Sequence, residues 1–444
     1  MDELDIRYTN KRITPFGGLT TVKRFYDRIG LQEEIRNLPL PTPGSNRGYD
    51  SVDLIEGFMV SVLLGSQRLA HCGLLRHDTV ISKLFGWKKG MASESTFSRF
   101  FKKFDTDLND QIFIALNRWW FQKTKASLHT IDIDSTVLTR YGNQEGVEVG
   151  YNPRKKGRGS HHPLIAFAAE VKMVVQAWMR TGDSVSSTDL EAFLKLVLQT
   201  IKKTNIGLVR ADSGFFSEDS LGCLENEELK YIVAAKMYAN LVQKIFDSHN
   251  WISYGDGIDI CSFHLRLQGW KKSRRFVVVR KLKSKHPQSG GKTLFEDYDR
   301  FSRYLYSAFV TNLELSDAIV WETYRHRAEA ETQIRELKEN YGINGFCCED
   351  FAATDAAFRW VCATYNLMSL YKIALINSKH DPTLATLKIK CIAIAAYLVK
   401  HGRKTTLVMS ANDYKRAFFY DLFQKIENIT PNMRFIPKRK FLMN

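Results

Sequence analysis

The first part of the chain shows the hydrophobic period of α-helices. Apolar residues recur every three or four positions over Asp50–Gly65. The same spacing continues over Ser93–Phe104 and Asp107–Gln122. The pattern predicts a helical N-terminal domain over residues 1–127.

From Leu128 the hydrophobic period changes to two, which is typical of a β-strand. Ile131 and Ile133 point to one face of this strand, and Asp132 and Asp134 point to the other. The segments that follow are, in order, strands Leu164–Glu170 and Met173–Trp178, helix Ser187–Lys202, strand Ile206–Arg210, helix Ser217–Glu228 and strand Tyr231–Ala235. This order predicts a mixed sheet covered by helices.

The remainder of the chain returns first to strands and then to helices. Short β-like runs divide residues 250–313, and the chain from Ala318 to about Lys372 and again over Leu384–Ile429 is predicted to be helical. We therefore expect five consecutive parts: a helical N-terminal domain (1–127), the first part of an α/β core (128–249), a β-rich insertion (250–313), the second part of the core (314–375) and a helical C-terminal region with a basic tail (376–444).

Composition identifies a globular protein with a polyanionic partner. The 444 residues include 44% hydrophobic and 25% charged side chains, which is ordinary for a folded protein. The formal net charge of +16 favours nucleic acid as the partner. No apolar stretch approaches the roughly 18 residues of a membrane span, so we expect no membrane partner.

Cysteine usage and the N-terminus indicate a cytoplasmic protein. The 7 cysteines are scattered and odd in number, which favours neither a disulfide framework nor a zinc site. Acidic residues at Asp2, Glu3 and Asp5 replace the basic and apolar run of a secretion signal. We expect a cytoplasmic protein that handles nucleic acid.

One segment, Trp321–Tyr341, has a polar stripe on a predicted helix. At about 100° per residue, its four members fall within an arc of roughly 60°. They are Tyr324, Arg327, Glu331 and Lys338. An exposed helix with an ordinary pair of opposite charges four residues apart, worth about 0.3–0.5 kcal/mol, would explain the stripe equally well if it stood alone.

Acidic residues elsewhere change that interpretation. An aspartate on the first strand, a second aspartate after a later strand and a glutamate on a following helix can converge on divalent metal. Mg²⁺ prefers carboxylate oxygens. Two such ions about 3.5–4 Å apart can activate an attacking oxygen and stabilise a leaving oxygen at phosphorus.

Three motifs resemble those of a known family. Tyr324-x2-Arg327-x3-Glu331-x6-Lys338 matches the Y-x2-R-x3-E-x6-K signature of bacterial insertion-sequence DDE transposases of the insertion sequence 4-like group. Ile131–Thr136 looks like the first-aspartate strand of that family, and Arg210–Phe215 like its second-aspartate turn. The stretch from Gly150 to Leu164 is similar to the 1380-like branch. The resemblance spans about half of the chain.

The resemblance implies a ribonuclease-H-like catalytic core with an inserted β-rich subdomain. The implied catalytic and metal-binding triad is Asp134, Asp212 and Glu331, holding two Mg²⁺ ions that Mn²⁺ can replace. Asp132, on the same strand face as Asp134, is the alternative first aspartate. The implied reaction is cut-and-paste transposition, in which the enzyme cleaves the transposon ends and joins them to target DNA.

The implied partners are the terminal inverted repeats and the target DNA, both double-stranded. A homodimer is expected in the DNA complex, because two ends must be held. Tyr324, Arg327 and Lys338 would contact phosphates, and Trp270 would hold a flipped base by stacking. A tryptophan in a β-rich region can equally belong to the core.

Basic residues outside the triad are further candidates for DNA contact. Lys271–Lys285 contains eight basic residues and no acid, and we expect this cluster to be neutralised by phosphates. The candidates are Lys271, Lys272, Arg274 and Arg275 in that cluster, Arg154, Lys155 and Lys156 in a turn, and Arg99 and Lys102 on a helix. Solvated surface charge explains the turn nearly as well as DNA contact does, and it explains the helix at least as well.

Two other functions share much of this pattern. A catalytically inactive DNA-binding protein derived from a transposase would keep the basic surfaces, although the presence of all three acids argues against such decay. A metal-dependent DNA nuclease would keep the same triad but perform no strand transfer.

Overall fold

The computed structural model describes residues 5–45, 47–283, 303–376 and 381–437. Within these ranges the chain forms two compact units. The first unit contains the residues up to 125, residues 141–147 and the residues from 334 onward, and the second contains residues 126–140 and 148–333. The N-terminal helices and the C-terminal region therefore belong to one unit.

The elements are numbered here along the chain. The helices are α1 (Leu19–Arg28), α2 (Leu31–Asn37), α3 (Ser51–Leu64), α4 (Leu69–Leu74), α5 (Thr79–Phe85), α6 (Glu94–Phe101), α7 (Thr106–Gln122), α8 (Leu190–Thr200), α9 (Glu218–Asn226), α10 (Ala239–Phe246), α11 (Asp317–Arg325), α12 (Ala328–Asn340), α13 (Phe351–Leu375), α14 (Leu384–Leu387) and α15 (Asp413–Glu427). The strands are β1 (Ile13–Thr14), β2 (His129–Ser135), β3 (Leu138–Thr139), β4 (Glu148–Val149), β5 (Gly159–His161), β6 (Leu164–Ala168), β7 (Met173–Trp178), β8 (Ile206–Ala211), β9 (Tyr231–Ala234), β10 (Ile252–Gly255), β11 (Ile258–Leu265), β12 (Arg274–Leu282), β13 (Tyr304–Thr311), β14 (Ala396–His401) and β15 (Lys404–Met409).

Helices dominate the first unit, as the sequence predicts. Helix α3 begins where the Asp50 carboxylate accepts two backbone N–H groups and ends at Gly65, which adopts the left-handed conformation with φ 103°. Helix α13 is buried on nearly every side, as expected of a helix at the centre of a bundle. No single helix in the described ranges is long and apolar enough to cross a bilayer. The bent pair Ser51–Leu64 and Leu69–His77 has the length and composition of a membrane span only when its two helices are counted together.

The prediction of a mainly helical C-terminal region is wrong for residues 396–409. These residues form the antiparallel hairpin of β14 and β15, and β1 pairs with β14 to complete a three-stranded sheet. The run Ala396–Val399 has β-branched and aromatic side chains, and Gly402 adopts φ +59° in the turn. A short apolar run of this length fits a strand or a helix, and the glycine turn decides for the strand.

A nine-stranded mixed sheet organises the second unit. Its strand order is β10-β11-β12-β13-β9-β8-β2-β6-β7. Strand β2 pairs antiparallel with β6 on one side and parallel with β8 on the other, and β8 pairs parallel with β9. The order β7-β6-β2-β8-β9, with β2 central, is the arrangement expected of a ribonuclease-H-like core. The predicted mixed α/β fold is confirmed.

The strands predicted for the insertion extend this same sheet. Strand β13 pairs antiparallel with β9, and β12, β11 and β10 follow outward as antiparallel neighbours. A shared core unites the two parts, because Leu208 of β8 and Ile232 of β9 pack in one cluster with Val277 of β12 and Val320 of α11. Burial across the sheet therefore holds α11 close to the central strands.

Candidate active site

Two of the predicted acids stand at the ends of neighbouring parallel strands. Ile133 of β2 is opposite Ala211 of β8, and the next residue in each strand direction is Asp134 and Asp212, respectively. Neighbouring strands lie about 4.8 Å apart. The sheet register alone therefore brings the two carboxylates to one edge.

A tight turn holds Asp212 at this edge. Its carboxylate accepts the backbone N–H of Gly214 at 2.8 Å and caps the short helical turn that follows. A Cβ on Gly214 would lie 2.5 Å from Ser186 Oγ, so only glycine fits there. The Ser186 hydroxyl also lies 2.8 Å from that of Ser135, the residue after Asp134.

The single helix predicted to present the polar stripe is divided into two helices in the structure. Helix α11 ends at Arg325 and α12 begins at Ala328, with a turn at His326–Arg327. Backbone bonds three residues apart replace the helical pattern there: Arg327 N–H donates to Tyr324 O and Ala330 N–H to Arg327 O. The turn coincides with an ion pair between Arg327 and Asp134, a contact outside the helix that local periodicity does not report.

Arg327 lies between two members of the predicted triad. Its Nη2 is 2.9 Å from Asp134 Oδ2, and its Nη1 is 3.5 Å from Glu331 Oε1. The Arg327 side chain is 5% exposed, whereas that of Glu331 is 69% exposed. Arg327 thus contacts two carboxylates in this structure, and its predicted phosphate contact stays a prediction.

Burial and neighbouring charge alter the acidity of Asp134. Burial raises the pKa of Asp134 to about 6; Arg327 opposes this rise, and the charges of Asp212 and Glu331 add to it. These interactions show that the three predicted acids are electrostatically close. Deprotonated Asp134 therefore gains stability from any cation that approaches it.

Asp132 has different surroundings from Asp134. Both of its carboxylate oxygens accept hydrogen bonds at 2.7 Å from Arg210 of β8, and both side chains are fully buried. Arg210 also donates to the backbone carbonyl of Thr323 in α11. Asp132 thus joins two strands and a helix by a closed ion pair, which leaves its oxygens fully used.

Tyr324 contacts the same strand end through its hydroxyl. The hydroxyl donates to the Ala211 carbonyl at 3.3 Å, and the ring packs against Phe309 at 4.5 Å between ring centres. Burial raises the pKa of Tyr324 to about 12, so the hydroxyl remains a donor. Tyr324 therefore fixes α11 against the residue before Asp212.

The donor set suits Mg²⁺ in chemistry but does not form a complete metal cage. Within the ranges that the structure describes, no three His, Cys, Asp or Glu side chains are placed to share one ion. Mg²⁺ usually takes one or two protein carboxylates and completes its octahedron with water and phosphate oxygens. Asp134 and Asp212 can supply that pair, and Glu331 would have to turn away from Arg327 to join them.

The arginines of the basic cluster after Trp270 are paired with carboxylates in this structure, and their predicted contacts with phosphates stay a prediction. Arg274 is paired with Glu218 and Glu225, and Arg275 with Asp317. Lys272 also pairs with Glu225 at 2.9 Å, whereas Lys271 is exposed. Acidic side chains from α9 and α11 supply the neutralising charge. The end of the cluster, residues 284 and 285, lies outside the described residues.

Trp270 belongs to the core rather than to an open stacking surface. It is 7% exposed and packs against Phe216 and Phe276, with the Arg274 guanidinium 4.7 Å from its ring centre. A base can stack on an indole only where at least one flat face of the ring is accessible. Trp270 is thus a core residue in this structure, and its predicted role of holding a flipped base stays a prediction.

The other predicted DNA contacts lie at the surface. Arg154, Lys155 and Lys156 form an exposed turn after β4. Arg99 and Lys102 are exposed at the end of α6, where Lys102 is 3.6 Å from Asp350. Lys338 is half-buried, seven residues beyond Glu331 on α12.

Sequence reasoning missed a buried arginine that supports the site. Arg180 is 3% exposed, and its guanidinium donates to the backbone carbonyls of Val185, Ser186 and Thr188. These contacts position Ser186, which touches both strand-end turns. The residue type carried no signal, because a single arginine after a strand fits a surface charge equally well.

These observations define the class of the protein: a ribonuclease-H-like α/β sheet with acidic residues at the carboxyl ends of two neighbouring central strands. The chain belongs to the family described as transposase DDE domain group 1, whose model matches residues 2–431. Among solved structures, the cryo-EM structure of piggyBac transposase synaptic complex with hairpin DNA is similar to this chain, with 12% identity and a TM-score of 0.45 over 93% of this chain and 85% of that chain. No curated protein matches this chain.

Proposed function

We propose that this transposase binds the terminal inverted repeats of an insertion sequence and performs metal-dependent DNA cleavage and strand transfer. The observation that carries the proposal is the register of Ile133 with Ala211, which aligns Asp134 and Asp212 at one sheet edge. Glu331 is linked to the same edge through Arg327. Membership of the DDE family supports the assignment of these acids as the catalytic triad.

Asp134, Asp212 and Glu331 would hold the metal. Bound Mg²⁺ supplies the charge that activates an attacking oxygen and stabilises a leaving oxygen in phosphoryl transfer. Tyr324 and the Gly214 turn orient Asp212, and the strand orients Asp134. Asp134 is proposed as the first aspartate over Asp132, because Asp132 lies in a fully buried, doubly hydrogen-bonded pair with Arg210, whereas the strand register brings Asp134 beside Asp212.

The Y-x2-R-x3-E-x6-K set supports assignment to the insertion sequence 4-like group and its 1380-like branch. It also supports DNA as the partner, together with the exposed basic turn of Arg154, Lys155 and Lys156. A homodimer on two DNA ends follows from the need to hold both ends. A cytoplasmic location, on the nucleoid when DNA is bound, completes the proposal.

Incubation of the purified protein with its element's terminal repeats and Mg²⁺ or Mn²⁺ tests this function. We expect cleavage and joining to be lost in Asp134→Asn, Asp212→Asn and Glu331→Gln, with DNA retention unchanged. Glu329→Gln is the matched control, because Glu329 lies on the same helix and pairs with His326 instead. Cleavage without joining would indicate a nuclease, and retarded but intact DNA would indicate an inactive DNA-binding protein.

A further inference from the structure

The cation that faces the proposed triad is part of the chain itself. Arg327 is buried, and a buried guanidinium is stable only beside an anion. Its two anions come from separate elements, Asp134 on β2 and Glu331 on α12, at 2.9 and 3.5 Å. Both are proposed metal ligands, so the guanidinium lies where positive charge is expected from the metal.

A metal ion and this guanidinium compete for the same oxygens. Mg²⁺ binds carboxylate oxygens at about 2.0–2.1 Å and demands near-ideal geometry. Asp134 Oδ2 cannot provide that geometry while it also holds Arg327 Nη2, and two cations side by side repel each other. Occupancy by one therefore weakens occupancy by the other.

We propose that Arg327 is an internal counter-ion, which holds Asp134 and Glu331 in the metal-free protein and is displaced from them when metal binds. This inference rests on the function proposed above and adds a regulatory step to the same site. Displacement frees Glu331 to approach the strand-end aspartates. It also frees a guanidinium, whose planar donors suit a phosphate. Metal binding and DNA binding are thereby linked through the Arg327 side chain.

The turn at His326–Arg327 gives this exchange a structural basis. Arg327 stands between two helices rather than inside one, so its backbone can adjust with the side chain without breaking the regular hydrogen bonds of either helix. Glu331, at 69% exposure, has no close packing to lose when its contact with Arg327 breaks. The closed pair of Asp132 and Arg210 keeps β2 and β8 in place meanwhile.

Binding of Mn²⁺ to the full-length protein without DNA tests the inference, with free Mn²⁺ counted by electron paramagnetic resonance. We expect Arg327→Gln to bind Mn²⁺ about tenfold more tightly than the wild type, since a competing charge is removed. Arg325→Gln is the matched control, because Arg325 is exposed and lies over the Trp321 ring instead. Equal or weaker binding by Arg327→Gln would overturn the inference, because the arginine would then support the metal site.

A second measurement uses the wild-type protein and removes any dependence on folding of the variant. Arginine side-chain ¹⁵N resonances are followed as Mg²⁺ is added, with Arg327 assigned through Arg327→Lys. We expect the Arg327 signal alone to lose its protection from solvent exchange as metal binds. A signal that stays protected at saturating Mg²⁺ would contradict displacement. If neither the wild type nor Arg327→Gln binds metal, the proposed function fails together with this inference; if both bind equally, only the counter-ion role fails.

Discussion

Two arginine–carboxylate arrangements in the second unit differ in a way that separates structure from chemistry. Arg210 and Asp132 form two bonds at 2.7 Å with both side chains fully buried. Arg327 meets Asp134 at 2.9 Å and the exposed Glu331 at 3.5 Å. In the first arrangement each guanidinium nitrogen of Arg210 and each carboxylate oxygen of Asp132 has a hydrogen-bond partner within the fold. In the second, Asp134 accepts the backbone N–H of Ser135 and contacts Arg327, but Glu331 is 69% exposed, so the carboxylate of Glu331 is accessible to a metal ion.

The same comparison explains why the charge of a residue in the sequence does not predict its contacts in the fold. Arg274 looks like a phosphate contact in the sequence, yet it is held by Glu218 and Glu225 in another closed arrangement. Two aspartates on one strand face likewise look equivalent, yet their partners differ. Whether a charged side chain is paired within the fold or accessible to a ligand depends on residues that are distant in the sequence.

The largest expected effect is a loss of stability when the buried ion pair of Asp132 and Arg210 is broken. Asp132→Ala leaves the buried Arg210 without its anion and should lower the free energy of unfolding by about 3–5 kcal/mol, measured by urea denaturation. The double variant Asp132→Leu/Arg210→Met should regain most of that loss, because apolar side chains replace the pair. A loss below about 1 kcal/mol in Asp132→Ala would mean that the pair is not closed.

Substitution of Asp134, which contacts Arg327, should instead affect activity more than stability. Asp134→Asn is expected to lower DNA strand transfer about 100-fold or more, since a charged group at the reacting centre is lost. Its free energy of unfolding should fall less than in Asp132→Ala, because Glu331 remains as an anion for Arg327 and burial already disfavours the Asp134 charge, as its raised pKa shows. Parallel activity assays and urea curves measure both quantities. Collapse of the fold with retained specific activity would reverse the roles assigned to the two aspartates.

The closed arrangement at Arg274 should appear in the acid stability of the protein. Arg274, Lys272 and Tyr231 lower the pKa of Glu225 to about 2, although burial opposes them. The stability from this charge is full above the unfolded pKa near 4.5 and is lost as pH falls toward 2. Glu225→Gln should therefore remove about 1–2 kcal/mol of the pH dependence between these values, after allowance for solvent screening. Urea midpoints from pH 2 to 6 measure it, and identical pH profiles would disprove the pairing.

Much of the fold could be predicted because its signals are local. The change of period at Leu128 and the alternation of helices and strands up to Ala235 reflect which face of each element is buried. The pair Asp132 and Asp134 could be placed on one strand face for the same reason. The strand order could not be read locally, since the extension of the core sheet through β13 and β9 depends on pairing across long stretches of chain.

The site was predictable in its acids but not in its ion pairs. Arg210 closes on Asp132 from 78 residues away, and no periodicity reports such a contact. The break at His326–Arg327 was missed because the helical spacing of polar residues continues through it. Tertiary contact with Asp134, rather than helix propensity, decides the backbone there.

The smallest expected effect concerns the exposed basic turn of Arg154, Lys155 and Lys156. Changing Arg154, Lys155 and Lys156 together to Gln should reduce the slope of log affinity for DNA against log salt by about 2–3, since each phosphate contact releases roughly 0.9 of a counterion. The matched control removes the same charge from three lysines that are already paired with glutamates, Lys195, Lys203 and Lys272. That control should change the slope by less than about 1, because paired lysines release few counterions. Fluorescence anisotropy over a salt series measures both slopes, and equal slopes would show that total charge, rather than its pairing, governs DNA binding.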